Sequence, residues 1–594
     1  MSSRSRVVAA LLLACTLPTL LAYNQPPSAT LLNQCVAVAL WGGVALVLTP
    51  TRWPQGTGWL MAALSLVLAG VAVSWAAGSL PLSLALQAAG LLAGAAVMVL
   101  TGAAAAQQGR GPATLAALAI GLLAAGLLGS AVALVQVFAP GWTDGNLIAH
   151  SGVAGRAVGN LRQPNHLGSL LLWALAAAAL LAERGALPRW AAWAGCAVMV
   201  LAIELTASRT GAVGLGVLLL WALVDRRLSR QTRWLLAALP LLYGLAYLSM
   251  GWWGSISQQA LGAGARLAAE GAASGSIESP NSRLNIWRNA LDLIAANPWA
   301  GVGFGEFNLA WTLTPFPNRP TAFFDHTHNL ALQLAVELGL PAASAVLLLM
   351  AAALWQATRR AWRAEGEPGL AARTACVLVV LTLLHSVVEY PLWYAYFLMP
   401  AALAWGYALG TPPGPARLPA AAANSAPQPA AAWALAAGLL MSLAGAFAVL
   451  DYQRVVVIYA PRDGAGTLGE RIARGQRSPL FAHHADYAAA TNDAPPADAA
   501  LGLARATHSL LDTRLMLAWA RHLAASGQVG QVGQVDQIDQ IDQARWLAQR
   551  LREFNNVEAE SFFAPCAEGA TDLFQCQPPQ RAHGWREFTQ PARR

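Results

Sequence analysis

Thirteen apolar stretches, each close to the twenty residues that a helix needs to cross about 30 Å of hydrocarbon, leave this chain few architectures. They run over 7–23, 31–50, 58–77, 80–102, 113–138, 166–183, 190–206, 211–224, 234–252, 329–356, 372–389, 391–410 and 430–450. A membrane β-barrel would alternate apolar and polar residues over about ten positions, and these runs do not alternate. The expected fold is all-α: a polytopic helical membrane protein with about 12–13 transmembrane helices. Charged residues make up only 11% of the chain and fall mostly between the runs. Leu12-Leu13-Ala14-Cys15 resembles a lipoprotein cleavage box, but the apolar run continues to Tyr23, which suits an uncleaved span better.

Orientation follows from arginine, since the chain has no lysine. With a cytoplasmic N-terminus, one set of alternate loops carries Arg4, Arg6, Arg52, Arg110, Arg184, Arg189, Arg226, Arg227, Arg230, Arg233, Arg359, Arg360, Arg363, Arg373 and Arg417. That is a positive-inside pattern. The short loops of the other face are nearly free of positive charge apart from Arg156, Arg162 and Arg209. The net charge of +8 therefore sets topology, and no nucleic-acid partner is expected; the surrounding partner is membrane lipid.

The expected organisation is a membrane body over 1–410 with a large exterior loop at 253–328. A Pro/Ala/Gly-rich linker at 411–429 leads to a last span at 430–450 and a helical exterior domain at 451–594. The microrepeat from Gly527 to Gln543 is read as a variable connector without chemistry. A helical-hairpin repeat of tetratricopeptide type fits the helices around it, although no clean 34-residue period is present. Cys15, Cys35, Cys196 and Cys376 lie in or beside spans. Cys566 and Cys576, ten residues apart in the exterior tail, are expected to form a disulfide in an oxidising compartment, the alternative being two unpaired thiols. The tail histidines His483, His484, His508, His522 and His583 read as solvated.

Chemistry concentrates on the exterior face. Asp325-His326-Thr327-His328-Asn329 closes the large loop at the mouth of an apolar run, and Arg156–His166 leads into another. Arg209 stands where a short exterior turn joins two apolar helices, a costly place for a guanidinium unless it has a function. Its bland alternatives are snorkelling and a pair with Glu204. Asn281–Ala296 reads as an amphipathic helix, followed by a glycine-rich turn over Pro298–Phe307 that is no phosphate loop of the usual strand-to-helix kind. Arginine suits phosphate, because its planar fork donates in pairs and stays charged; histidine can take a proton from a hydroxyl near neutral pH. Outside the inner membrane no nucleotide drives transfer, so an activated sugar there must arrive lipid-linked.

These residues carry a resemblance. Arg156–His166 (RAVGNLRQPNH), Ser208–Gly211 (SRTG), Ser282–Trp287 (SRLNIW), Asp325–Asn329 (DHTHN) with Gly339 ten residues beyond, and His385–Tyr394 (HSVVEYPLWY) resemble the O-antigen ligase and polymerase superfamily of glycosyltransferases. The likeness is to its protein O-oligosaccharyltransferase (PglL-type) branch in particular. The resemblance implies transfer of a preassembled glycan from an undecaprenyl diphosphate-linked donor to an acceptor hydroxyl of a protein such as a pilin. The site would lie on the periplasmic face of the bacterial inner membrane, with no cofactor and no metal. His328 matches the family's essential histidine, and Arg209 and Arg283 match its donor-diphosphate arginines. His326 and Asp325 are expected as secondary catalytic members, the carboxylate fixing an imidazole tautomer. Arg156 and Gln163 are expected near the donor, and Asn329, Glu389, Tyr390 and Tyr394 near the acceptor or glycan. His166 reads as a capping or packing residue, and His385 is open between core hydrogen bonding and function.

Two alternatives stay open. One keeps the fold and changes the acceptor, as in an O-antigen ligase or polymerase working on a lipid-linked acceptor. The other is a transporter for a lipid-linked saccharide, which would place ionisable groups near the middle of spans rather than at their exterior ends. Three metal ligands within Asp325–His328 make poor tetrahedral geometry without a fourth partner.

Overall fold

The structure, a computed structural model, describes residues 2–49, 52–108, 111–273, 283–317, 319–414, 429–492, 499–528 and 534–589. Arg110, Arg417, Asn281, Ser282, most of the linker and residues 529–533 of the microrepeat lie outside the described residues. Helices occur in the order α1 (Ser3–Leu20), α2 (Leu31–Val47), α3 (Gly58–Ala76), α4 (Leu82–Gln107), α5 (Gly111–Phe138), α6 (Pro164–Glu183), α7 (Arg189–Thr206), α8 (Arg209–Val224) and α9 (Arg230–Ser257). The segment between α9 and the next long helix contributes α10 (Gly262–Ala273), α11 (Arg283–Ala296) and α12 (Phe307–Leu313). Then come α13 (Leu330–Arg363), α14 (Gly366–Ser386), α15 (Ala395–Gly410) and α16 (Pro429–Tyr459). The tail holds α17 (Leu468–Gly475), α18 (Ala482–Ala490), α19 (Ala499–Ala506), α20 (Thr513–Gln528), α21 (Gln534–Phe554) and α22 (Glu560–Ala567).

The protein is an all-helical, multi-pass membrane protein. Among the described residues nine helices are long and apolar enough to cross a membrane, and α2, α8 and α15 are shorter apolar helices. Each of the thirteen runs read from the sequence lies on a helix, with ends that differ by up to nine residues, as at Tyr459 against 450. The chain forms two compact units. The first comprises residues 1–64, 91–275 and 348–449, and the second residues 65–90, 276–347 and 450–594.

In the first unit α6 is the central helix, buried without interruption from His166 to Leu181 and packed by α5, α7, α8 and α14. Its sequence explains this, because a helix apolar on every side can only be surrounded. Helices of this unit approach closely through small residues. Gly406 and Gly410, four apart on α15, lie against the backbone carbonyls of Val99 and Ala103 on α4, where any Cβ would collide. A buried ion pair joins Arg373 Nε to Asp225 Oδ2 at 2.6 Å.

In the second unit the tail helices pack in sequence order, α17 on α18, α18 on α19, α19 on α20 and α20 on α21, and Cys566 and Cys576 are bonded. The solvated reading of the tail histidines is corrected here. His483, His508 and His583 are buried, and each has a partner that sequence distance hid. His483 Nδ1 lies 3.1 Å from Ser83 Oγ, His508 Nδ1 2.7 Å from Glu306 Oε2, and His583 Nε2 3.0 Å from Asp542 Oδ2.

Candidate functional site

The part of the second unit that precedes α13 is organised by a break in that helix. At Gly339 the backbone leaves the helix (φ 77°, ψ 163°), and Pro341 follows. Two carbonyls thereby lose their partners. Glu337 would need the N–H that Pro341 lacks, and Val336 would need that of Leu340, which donates instead to Pro298 O at 2.7 Å. The glycine-rich turn supplies both replacements: Val302 N donates to Val336 O (2.8 Å) and Gly303 N to Glu337 O (3.0 Å). Gly301, Gly303 and Gly305 all have positive φ, and a Cβ on Gly301 would stand 2.5 Å from Glu337 C and O. The run is thus a cap for a broken helix, which accounts for its composition without a phosphate.

The helical turn before the break carries the histidine loop. Gln333 Oε1 accepts the amide of Thr327 (2.8 Å), and Gln333 Nε2 donates to Glu337 Oε1 (3.0 Å). Asn329 begins the helix as its cap, its Oδ1 accepting from Leu332 N at 3.1 Å. Thr327 is fully buried; its hydroxyl donates to Asn329 O at 2.9 Å, and its carbonyl accepts the indole N–H of Trp287 at 3.0 Å. His326 and His328, only partly buried, flank this fixed point. His328 sits at φ 54°, a left-handed conformation that a non-glycine residue holds only when its surroundings enforce it. Its ring meets Phe324 edge-on at 5.6 Å.

The carboxylate of the motif serves the other imidazole: Asp325 Oδ1 lies 2.7 Å from His326 Nδ1. Desolvation by crowded neighbours works against ionisation of Asp325. The His326 imidazole, the hydrogen bond to it and, more weakly, His328 outweigh that and hold the carboxyl below its ordinary range. Arg283 opens α11 one helical turn before Trp287, so both share the face that meets Thr327. A guanidinium at a helix N-terminus adds positive charge to the positive end of the dipole, which favours an anion there.

The first unit gathers the remaining candidates at helix ends. Ser208 caps α8, its hydroxyl accepting from Gly211 N at 3.1 Å, and Arg209 is the exposed first residue of that helix. Ser208 Oγ donates to Asn165 Oδ1 (2.7 Å), and Asn165 Nδ2 donates to Glu389 Oε1 (3.0 Å). Glu389 is buried, so its carboxylate steadies the start of α8 rather than facing an open site. Gln163 caps α6 through His166 N at 2.7 Å. Arg156 spends Nε and Nη2 on Thr206 O at 3.1 and 2.9 Å, tying the loop before α6 to the end of α7. Tyr390 stacks on Tyr394 at 6.0 Å, and Tyr394 meets the His166 ring at 4.5 Å. His385 is fully buried with Ser169 Oγ 2.7 Å from its Nδ1, a core hydrogen bond. Among the described residues no group of three His, Cys, Asp or Glu side chains has metal-binding geometry.

Sequence reasoning missed Thr327, Gln333, Asn165 and Ser208 as organisers. Asn165 and Ser208 stand inside the quoted motifs, and Gln333 lies one helical turn past Asn329, so the signal was present for these. The tail residues that reach the loop had none.

Comparison with known proteins agrees with the motifs. The family described as O-Antigen ligase matches residues 194–347, which hold Arg209, Arg283 and the histidine loop. Virulence factor membrane-bound polymerase, C-terminal, matches 371–529, and Protein glycosylation ligase matches 157–182. A General O-oligosaccharyltransferase of Acinetobacter baylyi is 27% identical over 304 residues, covering 48% of this chain and 49% of the relative. The chain thus spans about half the length of that curated relative. The resemblance to the O-antigen ligase superfamily and its protein-glycosylating branch is shown by these matches.

Proposed function

We propose that the protein transfers a preassembled glycan from undecaprenyl diphosphate to serine or threonine hydroxyls of exported proteins, pilins among them, at the periplasmic face of the inner membrane. The observation that carries this reading is His328, held in a left-handed conformation beside a buried Thr327 that is pinned by Trp287 and Gln333. In the reaction the acceptor oxygen bonds to the anomeric carbon as the bond from that carbon to the diphosphate oxygen breaks. The electron pair leaves with undecaprenyl diphosphate, and the hydroxyl proton passes to the His328 imidazole. Arg283 stabilises charge on the departing diphosphate, the kind of electrostatic term that dominates many enzymatic accelerations, and Arg209 is proposed as a donor-binding residue on its resemblance alone. The Asp325–His326 pair keeps a second imidazole oriented beside the base. Buried ionisable groups such as His166, His385 and Glu204 stand within a few residues of helix ends, which favours an enzyme over a transporter.

A second reading, ligation or polymerisation on a lipid-linked acceptor, draws on the longer stretches matched by the ligase and polymerase families. Purified protein given an undecaprenyl diphosphate-linked oligosaccharide and either a pilin or lipid A core separates the two. His328→Ala should lower transfer about 10²–10⁴-fold, the range of a general base, and Arg283→Ala or Arg209→Ala about 10²–10³-fold. Wild-type rates in His328→Ala would sink the mechanism, and transfer only to lipid A core would sink the protein acceptor.

A further inference from the structure

The tail of the second unit does not merely border the histidine loop. Helix α12 is buried on every side, all seven residues of it, and much of that cover is the tail. Glu306, just before α12, is bound by His508, and Asn308 Oδ1 accepts the amide of Leu511 at 2.7 Å. Asn308 Nδ2 in turn donates to Phe324 O at 2.9 Å, the residue before Asp325.

The densest contact is made by the end of α21. Arg319 is 8% exposed, and its guanidinium lies 4.8 Å from the ring of Phe554, 4.9 Å from Trp311 and 5.3 Å from Phe316. Its Nε donates to Glu553 Oε2 at 3.0 Å, and its Nη2 donates to the carbonyls of Trp311, at 3.0 Å, and Thr314. Arg550 donates to the other oxygen of Glu553 at 2.8 Å. The Phe554 ring stacks flat on Phe323 at 3.9 Å with 12° between planes. From there a series of edge-to-face contacts leads inward: Phe554 to Trp311 at 5.9 Å, Trp311 to Phe324 at 5.7 Å and Phe324 to His328 at 5.6 Å. Aromatic rings so packed have few rotamers and resist small displacements.

We infer that Glu553 and Phe554 are positioning residues for His328, acting through Arg319, Trp311 and Phe324, so that the tail completes the catalytic loop and is not only a surface for acceptors. The inference rests on the catalytic reading of His328. It gives a histidine in a left-handed conformation a support through the Phe324 ring, in addition to the bonds that Gln333 and Trp287 make to its neighbour Thr327. A loop free to shift by an ångström would lose rate steeply while still binding its substrates.

The test uses the full-length protein in detergent with an undecaprenyl diphosphate-linked oligosaccharide and a purified pilin. Phe554→Ala and Glu553→Gln should each lower kcat about ten- to a hundredfold, with KM for donor and pilin changed less than threefold. Phe554→Trp, which restores an aromatic face, should recover most of the rate. Val557→Ala, at a side chain 75% exposed on the same part of the tail, should match wild type in kcat and KM. A merely structural loss would lower the amount of folded protein but leave kcat per folded molecule intact, so both are measured after size-exclusion. Unchanged kcat in Phe554→Ala and Glu553→Gln, or a rise in pilin KM alone, overturns the inference. Full activity in His328→Ala overturns the catalytic reading instead, and the two failures are thereby separate.

Discussion

Gly339→Ala tests the scaffold on which the histidine loop hangs. At φ 77° and ψ 163° the residue occupies a region open essentially to glycine, where a side chain costs on the order of 1–3 kcal/mol. The added Cβ would also stand 2.5 Å from the carbonyl carbon of Trp299 and closer to its oxygen, and backbone cannot step aside as a side-chain methyl can. Relief requires the glycine turn to part from α13. That breaks the bonds from Val302 to Val336, Gly303 to Glu337 and Leu340 to Pro298, at about 1 kcal/mol each. The total is about 5 kcal/mol, large against the marginal stability of folded proteins. The assay is thermal inactivation in detergent followed by fluorescence-detected size exclusion, with transfer activity measured on the surviving fraction. A graded series sharpens it. Gly301→Ala, whose Cβ also meets backbone at 2.5 Å, should approach Gly339→Ala in severity. Gly305→Ala meets only the Leu80 methyl at 2.9 Å and should cost about half as much despite its φ of 81°. Gly216→Ala in α8, where a Cβ meets nothing within 4 Å apart from its neighbours and its own helix backbone, should be neutral or stabilise by up to about 1 kcal/mol. A Gly339→Ala protein with wild-type stability and activity, or a Gly305→Ala protein more damaged than it, would refute the reasoning.

Other outcomes follow from the tail. His508→Ala leaves the Glu306 carboxyl, with its side chain 6% exposed, without its imidazole, so it should cost about 1–3 kcal/mol; hydrogen exchange should rise over 499–511 and 306–313 together, and adding Glu306→Gln should recover part of the loss. Independent exchange of the two segments would contradict the docking. Asp486 is pushed up to about 6 by burial, with Gln476 and Arg505 opposing. Because the folded state holds this proton more tightly than the unfolded one, its stabilising contribution is complete below about pH 4 and vanishes as pH rises through 6. Asp486→Asn keeps an oxygen for Gln476, 3.0 Å away, and should remove this slope, worth about 2–3 kcal/mol between pH 4 and pH 7. Parallel stability curves for wild type and variant over that interval would show that Asp486 does not titrate there.

The membrane helices were legible because burial in hydrocarbon imposes one rule on every residue of a span, and a run such as 113–138 obeys it without reference to anything else in the chain. The ends were less legible, since Gln163 and Ser208 begin their helices by capping and not by being apolar. The arginines and histidines of the candidate site were legible for a related reason: a polar side chain at the end of an apolar helix, in a chain with so few charges, stands out. What could not be read was which of these groups reach solvent and which turn inward. Glu389 and Asn165 look alike in sequence to Asp325 and Asn329, yet Glu389 is buried on its amide partner while Asp325 faces solvent beside His326.

The tail histidines show the same limit from the other direction. In a polar, helical stretch the default for a histidine is water, and His508 departs from it only because Glu306, 202 residues earlier, occupies the complementary position. Arg319 and Phe554 pose the same problem across 235 residues, and neither has a local pattern that betrays it. Such pairs carry no periodicity, because they are set by how one segment covers another and not by the geometry of either. They also have a shared consequence in this chain. Glu306 and Arg319 bracket α12, and both are met by the tail within the segment that leads directly to Phe323 and Phe324. A polar residue buried at long range is costly unless its partner is present, so the folded tail is a condition for the folded loop. It is the reason to seek the effect of tail variants in the rate of the proposed transfer as well as in binding.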